Sequence, residues 1–245
     1  MDVGRAHQEL GIRTAAEAVH HHLGQAVAAY RQALEVRTRA TLPQQWAMTQ
    51  NNLARAALAL RDWPTAAASY ASVLELYPTY EEAYQRAGWL YHEVLFDFPT
   101  AFTLNQRWLE LHSDDLDTLS EFAEKHVTTG RFADAATRLS ALLERQDVTP
   151  GVAAALRTLT IPTLLAQGQA AQVPAALEAL LAHMAAQPEN FRVTWSFNGV
   201  THFIGQYDGL ATYRPWLQQL FSALQAETRD DVIAGVQAAQ RAFKA

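Results

Sequence analysis

Residues 46–60 read WAMTQNNLARAALAL, and residues 70–78 read YASVLELYP. Both stretches place apolar residues at helical spacing, and a short turn separates them. The first carries Ala54 near its middle. The second stops at Pro78, which cannot continue a helical hydrogen-bond ladder. Two antiparallel helices that cross closely need side chains no larger than Ala or Gly where their backbones meet. The pair therefore reads as one helical hairpin, and the question is whether it recurs.

It does, in a 34-residue frame. With Ala47 at position 1, Leu53 falls at 7, Ala54 at 8, Trp63 at 17, Ala66 at 20, Tyr70 at 24, Val73 at 27 and Pro78 at 32. A frame starting at Glu81 places Tyr84, Ala87, Gly88 and Tyr91 at 4, 7, 8 and 11. One extra residue in FDFPTAF then brings Ala101 to the second small position. From Leu116 the frame gives Leu119, Phe122, Ala123, Gly130, Phe132, Ala135, Leu139 and Leu142. A weaker copy from Ala154 keeps Gly168, Leu177 and Leu180, but has Ile161 where a small residue is expected. Upstream, Ala26, Tyr30 and Ala33 match a second helix.

These residues resemble the tetratricopeptide repeat (TPR) over about residues 23–188. Residues 26–58 are similar to repeats of bacterial TPR arrays, some of which are joined to caspase-like peptidase or NTPase domains. None of the motifs of those domains is present in this sequence. The resemblance implies an all-α fold, a right-handed superhelical solenoid of antiparallel helix pairs with about 12–13 helices. Residues 1–188 are expected to form about five repeat units, the first degenerate, with residues 4–20 as its lone first helix. Residues 189–245 are expected to form a degenerate unit of three helices, the last, apolar on one side, serving as the cap that solenoids require.

Composition agrees with an ordered helical chain. Of 245 residues, 49% are apolar, which argues against disorder. Cysteine is missing, which removes disulfides, thiolate metal sites and cysteine nucleophiles. The opening MDVGRAHQEL has no apolar core of signal-peptide length, and no apolar run approaches membrane-spanning length. A cytoplasmic protein without a membrane partner is expected. The net charge of −6 is uneven, with fifteen acids against six bases in residues 62–149, a local excess of −9. A nucleic-acid binder concentrates Lys and Arg instead, so nucleic acid is not expected as a partner.

Local motifs for chemistry are weak. The run His20, His21, His22, with His7 upstream, cannot converge on one ion, because adjacent helical residues point about 100° apart. A helix end, a loop or the edge of a partial tag explains it. His126 falls where a Tyr usually packs and reads as a core histidine with a hydrogen-bonded nitrogen. SDDLD at 113–117 stands where a helix begins, with Ser113 or Asp114 as its N-cap. His92-Glu93 lacks the second histidine four residues from the first that a zinc-protease helix needs. No phosphate-binding glycine loop or nucleophile elbow is found. Neither catalysis, cofactor nor metal is expected.

The resemblance implies a protein-interaction scaffold or adaptor that holds a partner peptide or helix on a concave face formed by the first helices. Positions 2, 5, 9 and 12 share that face. The candidate partner-binding residues are Asn51 and Arg55, then Glu82, Gln85, Trp89 and His92, then Asp117, Ser120 and Glu124. Any of them can instead touch the neighbouring helix. The acidic middle third points to a partner with a basic segment. The alternative is a regulatory or sensor arm of a larger enzyme assembly. Oligomeric state is left open by the sequence.

Overall fold

The structure is a computed structural model that describes the backbone of residues 3–243 and side chains from Glu17 onward. Twelve α-helices and no strand are found among the described residues. No helix there is long and apolar enough to cross a membrane. The chain divides into two compact units, residues 1–91 and 92–245.

The first unit holds α1 (Val3–Val36), α2 (Pro43–Ala59), α3 (Trp63–Leu76) and α4 (Glu81–Trp89). Helix α1 corrects one expectation. Residues 4–20 and the helix from Ala26 onward were expected as separate helices, but α1 is unbroken across them. Nothing in HHHLGQA stops a helix: Gly24 is tolerated inside one, and no proline intervenes. His20, His21 and His22 therefore sit exposed in a helix body rather than at its end or in a loop. The side chain of His7 lies outside the described residues.

The connection between α2 and α3 is three residues long, which forces the two to run antiparallel. Ala54 and Ala66 have no exposed surface. Tyr70, Val73 and Leu74 fill the space beside them, and α3 stops at Leu76 before Pro78.

The second unit holds α5 (Phe98–Leu111), α6 (Leu116–Thr128), α7 (Phe132–Leu143), α8 (Pro150–Ala166) and α9 (Val173–Ala185). After an extended stretch come α10 (Asn198–Gln206), α11 (Arg214–Leu224) and α12 (Arg229–Ala242). Helices α5 to α9 pack in sequence, and α6 also touches α8. One apolar core runs from Ala123 through Leu156, Leu180 and Phe197 to Val236. The segment after residue 188 thus shares its core with the helices before it. The expected aromatic-rich helix near residue 190 is shorter than its sequence suggests. Residues 191–197 are not helical, and helix begins only at Asn198.

A local signature marks the start of successive second helices. Arg61, Phe96, Gly130 and Gly168 all have left-handed backbone, with φ of 60°, 55°, 73° and 73°. Asp62 follows Arg61 and caps α3, accepting from the Thr65 amide at 3.3 Å. Asp97 follows Phe96 and caps α5 in the same way, through Thr100 at 3.2 Å. The sequences Asp-Trp-Pro-Thr-Ala (62–66) and Asp-Phe-Pro-Thr-Ala (97–101) form the same turn. Here the backbone sets the residue preference: a Cβ in the left-handed region costs about 1–2 kcal/mol. A Cβ added at Gly130 would meet nothing within 4 Å, so strain is the only penalty. Gly130→Ala is expected to lower stability by about 1 kcal/mol, and Arg61→Gly to raise it by up to about 1 kcal/mol. Urea unfolding of both variants checks the opposite signs.

The extra residue in the second frame is placed by this signature. Seven residues separate Ala54 from Arg61 and Ala123 from Gly130, but eight separate Gly88 from Phe96. The added residue lies before FDFPTAF, not inside it. Leu90–Val94 form a π-helical turn, the form a helix takes when it absorbs one residue.

Candidate functional site

Two places gather the sequence-predicted residues, one in each unit. In the first unit, α2, α3 and the turn before α4 enclose a cavity of about 420 Å³. Met48, Asn51, Val73, Tyr77 and Tyr80 line it. Met48 is 66% exposed, and Tyr77 and Tyr80 are over a third exposed. Such apolar side chains cost free energy in water and gain it under a partner. The Asn51 Oδ1 is buried without a hydrogen-bond partner. The Tyr80 hydroxyl donates to Glu82 at 3.1 Å. Arg55 and Gln85 are exposed, and Gln85 donates to Glu81 at 2.9 Å. Trp89 is 44% exposed and meets Trp63 edge-on, with ring centroids 6.4 Å apart.

The second unit departs from expectation. Asp117 is exposed, but His92, Ser120 and Glu124 are buried and offer no surface to an outside partner. Each has a physical cause. The start of α10 lies over His92, so close that a Cβ on Gly199 would stand 2.5 Å from the His92 ring. Helix α10 and the extended stretch before it pack on α6, covering Glu124. Ser120 donates to the Leu116 carbonyl at 2.8 Å, as buried helical serines do.

What the burial creates is a polar cluster inside the protein. Glu93 accepts from the Ser196 hydroxyl and, at 3.1 and 3.4 Å, from the amides of Asn198 and Gly199. It thereby satisfies the orphan N–H groups that begin α10. Its other oxygen lies 2.5 Å from His92 Nδ1. His92 Nε2 lies 3.1 Å from the Thr128 hydroxyl. Glu124 accepts from the Trp195 indole N–H at 3.1 Å, and its second oxygen is 4.0 Å from His92 Nδ1.

Burial pushes the Glu93 carboxyl up, but hydrogen bonds from His92, Ser196 and the Gly199 amide outweigh it and hold the carboxyl below its usual range. Burial holds the His92 imidazole below its ordinary value. Burial, then the Glu93 charge, push Glu124 well up. One donor atom from each of His92, Glu93 and Glu124 lies within 4.8 Å of the others, close enough to hold a metal ion.

No motif spacing announces this meeting. His92 and Glu93 are adjacent, Glu124 is a helix and a half away, and Trp195 and Ser196 come about a hundred residues later. The one trace was the length anomaly after Gly88.

The remaining motifs resolve structurally. His126 is buried with Nδ1 2.7 Å from the Phe122 carbonyl and packs on Phe102 and Phe122, as expected of a core histidine. In SDDLD the cap is Asp115 rather than Ser113 or Asp114. It accepts from the Thr118 amide at 3.2 Å and from the Trp108 indole at 2.8 Å. Asp114 instead pairs with Arg145 at 2.7 Å.

Compared with models of known protein families, the chain matches none, and no curated protein matches it in sequence.

Proposed function

We propose that the protein is a non-catalytic interaction scaffold of TPR-like helix pairs stacked as a right-handed superhelix, and that its first unit holds a short segment of a partner protein. The cavity between α2 and α3 carries this reading, because it joins exposed apolar walls to an unpartnered acceptor at Asn51. The turn signature at Arg61, Phe96, Gly130 and Gly168 supports the repeat, as do the fully covered Ala54, Ala66, Ala101, Ala123 and Ala135.

An aliphatic or aromatic anchor would fill the cavity while a backbone N–H of the bound segment reaches Asn51 Oδ1. Trp89 and Arg55 would extend the contact, being residue types that contribute most when a partner excludes water. Basic residues in the partner would meet Glu81 and Glu82, which follow the cavity-lining Tyr80.

Selection from a displayed peptide library on the intact protein tests this. The expected ligands combine one large apolar residue with Lys or Arg, and bind more slowly as salt is added. Met48→Asp should weaken them by about 2 kcal/mol, and Trp89→Ala by a similar amount while changing stability by less than about 1 kcal/mol. Ligands indifferent to both substitutions, or none at all, would remove the first unit as the binding surface.

A further inference from the structure

The polar cluster of the second unit has a second property, independent of the peptide reading. Each of its three members has one donor atom turned toward a common point, where His92 Nδ1 and Glu93 bond to each other, and its other atom engaged outside that point. Glu93 keeps one oxygen inward while the other takes Ser196 and two backbone amides. Glu124 does the same, with Trp195 on its outer oxygen. His92 faces inward through Nδ1, and Thr128 stands at Nε2. That division is how metal sites are built, since outer hydrogen bonds fix the orientation of each ligand.

We propose that His92 Nδ1, Glu93 and Glu124 form a binding site for a divalent first-row transition ion. One nitrogen and two carboxylate oxygens are the donor types that suit zinc and manganese. Donors on one ion stand about 3–3.5 Å apart when metal bonds are about 2.1 Å long. The separations from His92 Nδ1, 2.5 Å to Glu93 and 4.0 Å to Glu124, bracket that range.

For Nδ1 to coordinate, the ion takes the place of the proton that bonds Nδ1 to Glu93, and His92 carries its proton on Nε2 instead, donating it to the Thr128 hydroxyl. Thr128 in turn has the Lys125 carbonyl, 3.4 Å away, for its own proton. The buried lysine nearby, Lys125, turns its ammonium to Glu121 at 3.2 Å.

Access runs through Glu93. It also lines a cavity of about 360 Å³ with Phe96, Asn198, Thr201 and His202. The three protein donors leave a further coordination position for water or a small ligand.

The test uses the full chain with His20, His21 and His22 replaced by Ala, so that the exposed histidine run cannot contribute. After chelator treatment, zinc and manganese ions are added separately in calorimetric titrations, with thermal melts alongside. One equivalent of at least one ion should bind and raise the melting temperature. Glu124→Gln keeps the shape and the acceptor for Trp195, and should abolish that binding. Trp195→Phe removes only the outer hydrogen bond and should weaken it about 10–100-fold. Cobalt(II) absorption, present in the parent and lost in Glu124→Gln, gives a second readout if calorimetric heats are small. No binding of either ion, or binding unchanged in both variants, would overturn the site. Neither result bears on the cavity of the first unit.

Discussion

Gly199→Ala is expected to destabilise the protein by about 2–3 kcal/mol, although alanine is the better helix former. Gly199 lies in the first turn of α10, over the His92 ring. A Cβ there would stand 2.5 Å from His92 Cε1, 2.6 Å from Nδ1 and 2.9 Å from the His92 carbonyl oxygen. The ring has no easy escape, because its two nitrogens are engaged by Glu93 and Thr128. The carbonyl belongs to the backbone of the π-turn and moves only with it. Against this, replacing glycine in a helix gains at most about 1 kcal/mol. Gly205, in the same helix, is the control, since a Cβ there meets nothing within 4 Å. Urea unfolding should show Gly205→Ala unchanged or more stable, and Gly199→Ala clearly weaker. Equal midpoints for the two would mean that α10 does not press on His92.

The second large effect is expected at Tyr70, among the largest fully buried side chains. Tyr70→Ala removes a ring from the heart of the α2–α3 hairpin and should cost about 3–5 kcal/mol, as large-to-small core replacements do. The contribution comes from the ring and not from the phenol. The Tyr70 hydroxyl is buried without a hydrogen-bond partner, so its desolvation is uncompensated. Tyr70→Phe should therefore leave stability unchanged or raise it slightly. Loss of more than about 1 kcal/mol in Tyr70→Phe would show that the hydroxyl is bonded in solution.

The legible part of the fold was the part written in periods. Ala54, Ala66, Ala101, Ala123 and Ala135 stand at fixed intervals because helix crossings repeat, and all have no exposed surface. Gly130 and Gly168 were readable because a left-handed turn prefers glycine. Arg61 and Phe96 occupy the same turn without being glycine, so the signature is visible only in backbone angles.

Of the candidate site, the first-unit residues lie at or near a surface because α2 and α4 follow uninterrupted helical spacing through Asn51, Arg55, Glu82, Gln85 and Trp89. The same spacing misplaced His92, because Gly199 of α10, far along the chain, packs over its ring. It misplaced Glu124 for the same kind of reason. Nothing local to α6 shows that Trp195 will lie over it, 71 residues away in sequence.

The span of these contacts also constrains how the chain acquires its structure during synthesis. Glu93 and the Ser196 that bonds to it are separated by 103 positions. At a translation rate of about 5–20 residues per second, Glu93 waits roughly 5–20 seconds for that partner. During that interval α6 is already made, and its future inner face, Glu124 included, is still open to water. The ribosome-bound intermediate thus exposes a carboxylate-bearing trough that the finished protein conceals. Slow, long-range closure of this kind predicts a late folding phase for the second unit, sensitive to truncation before residue 196.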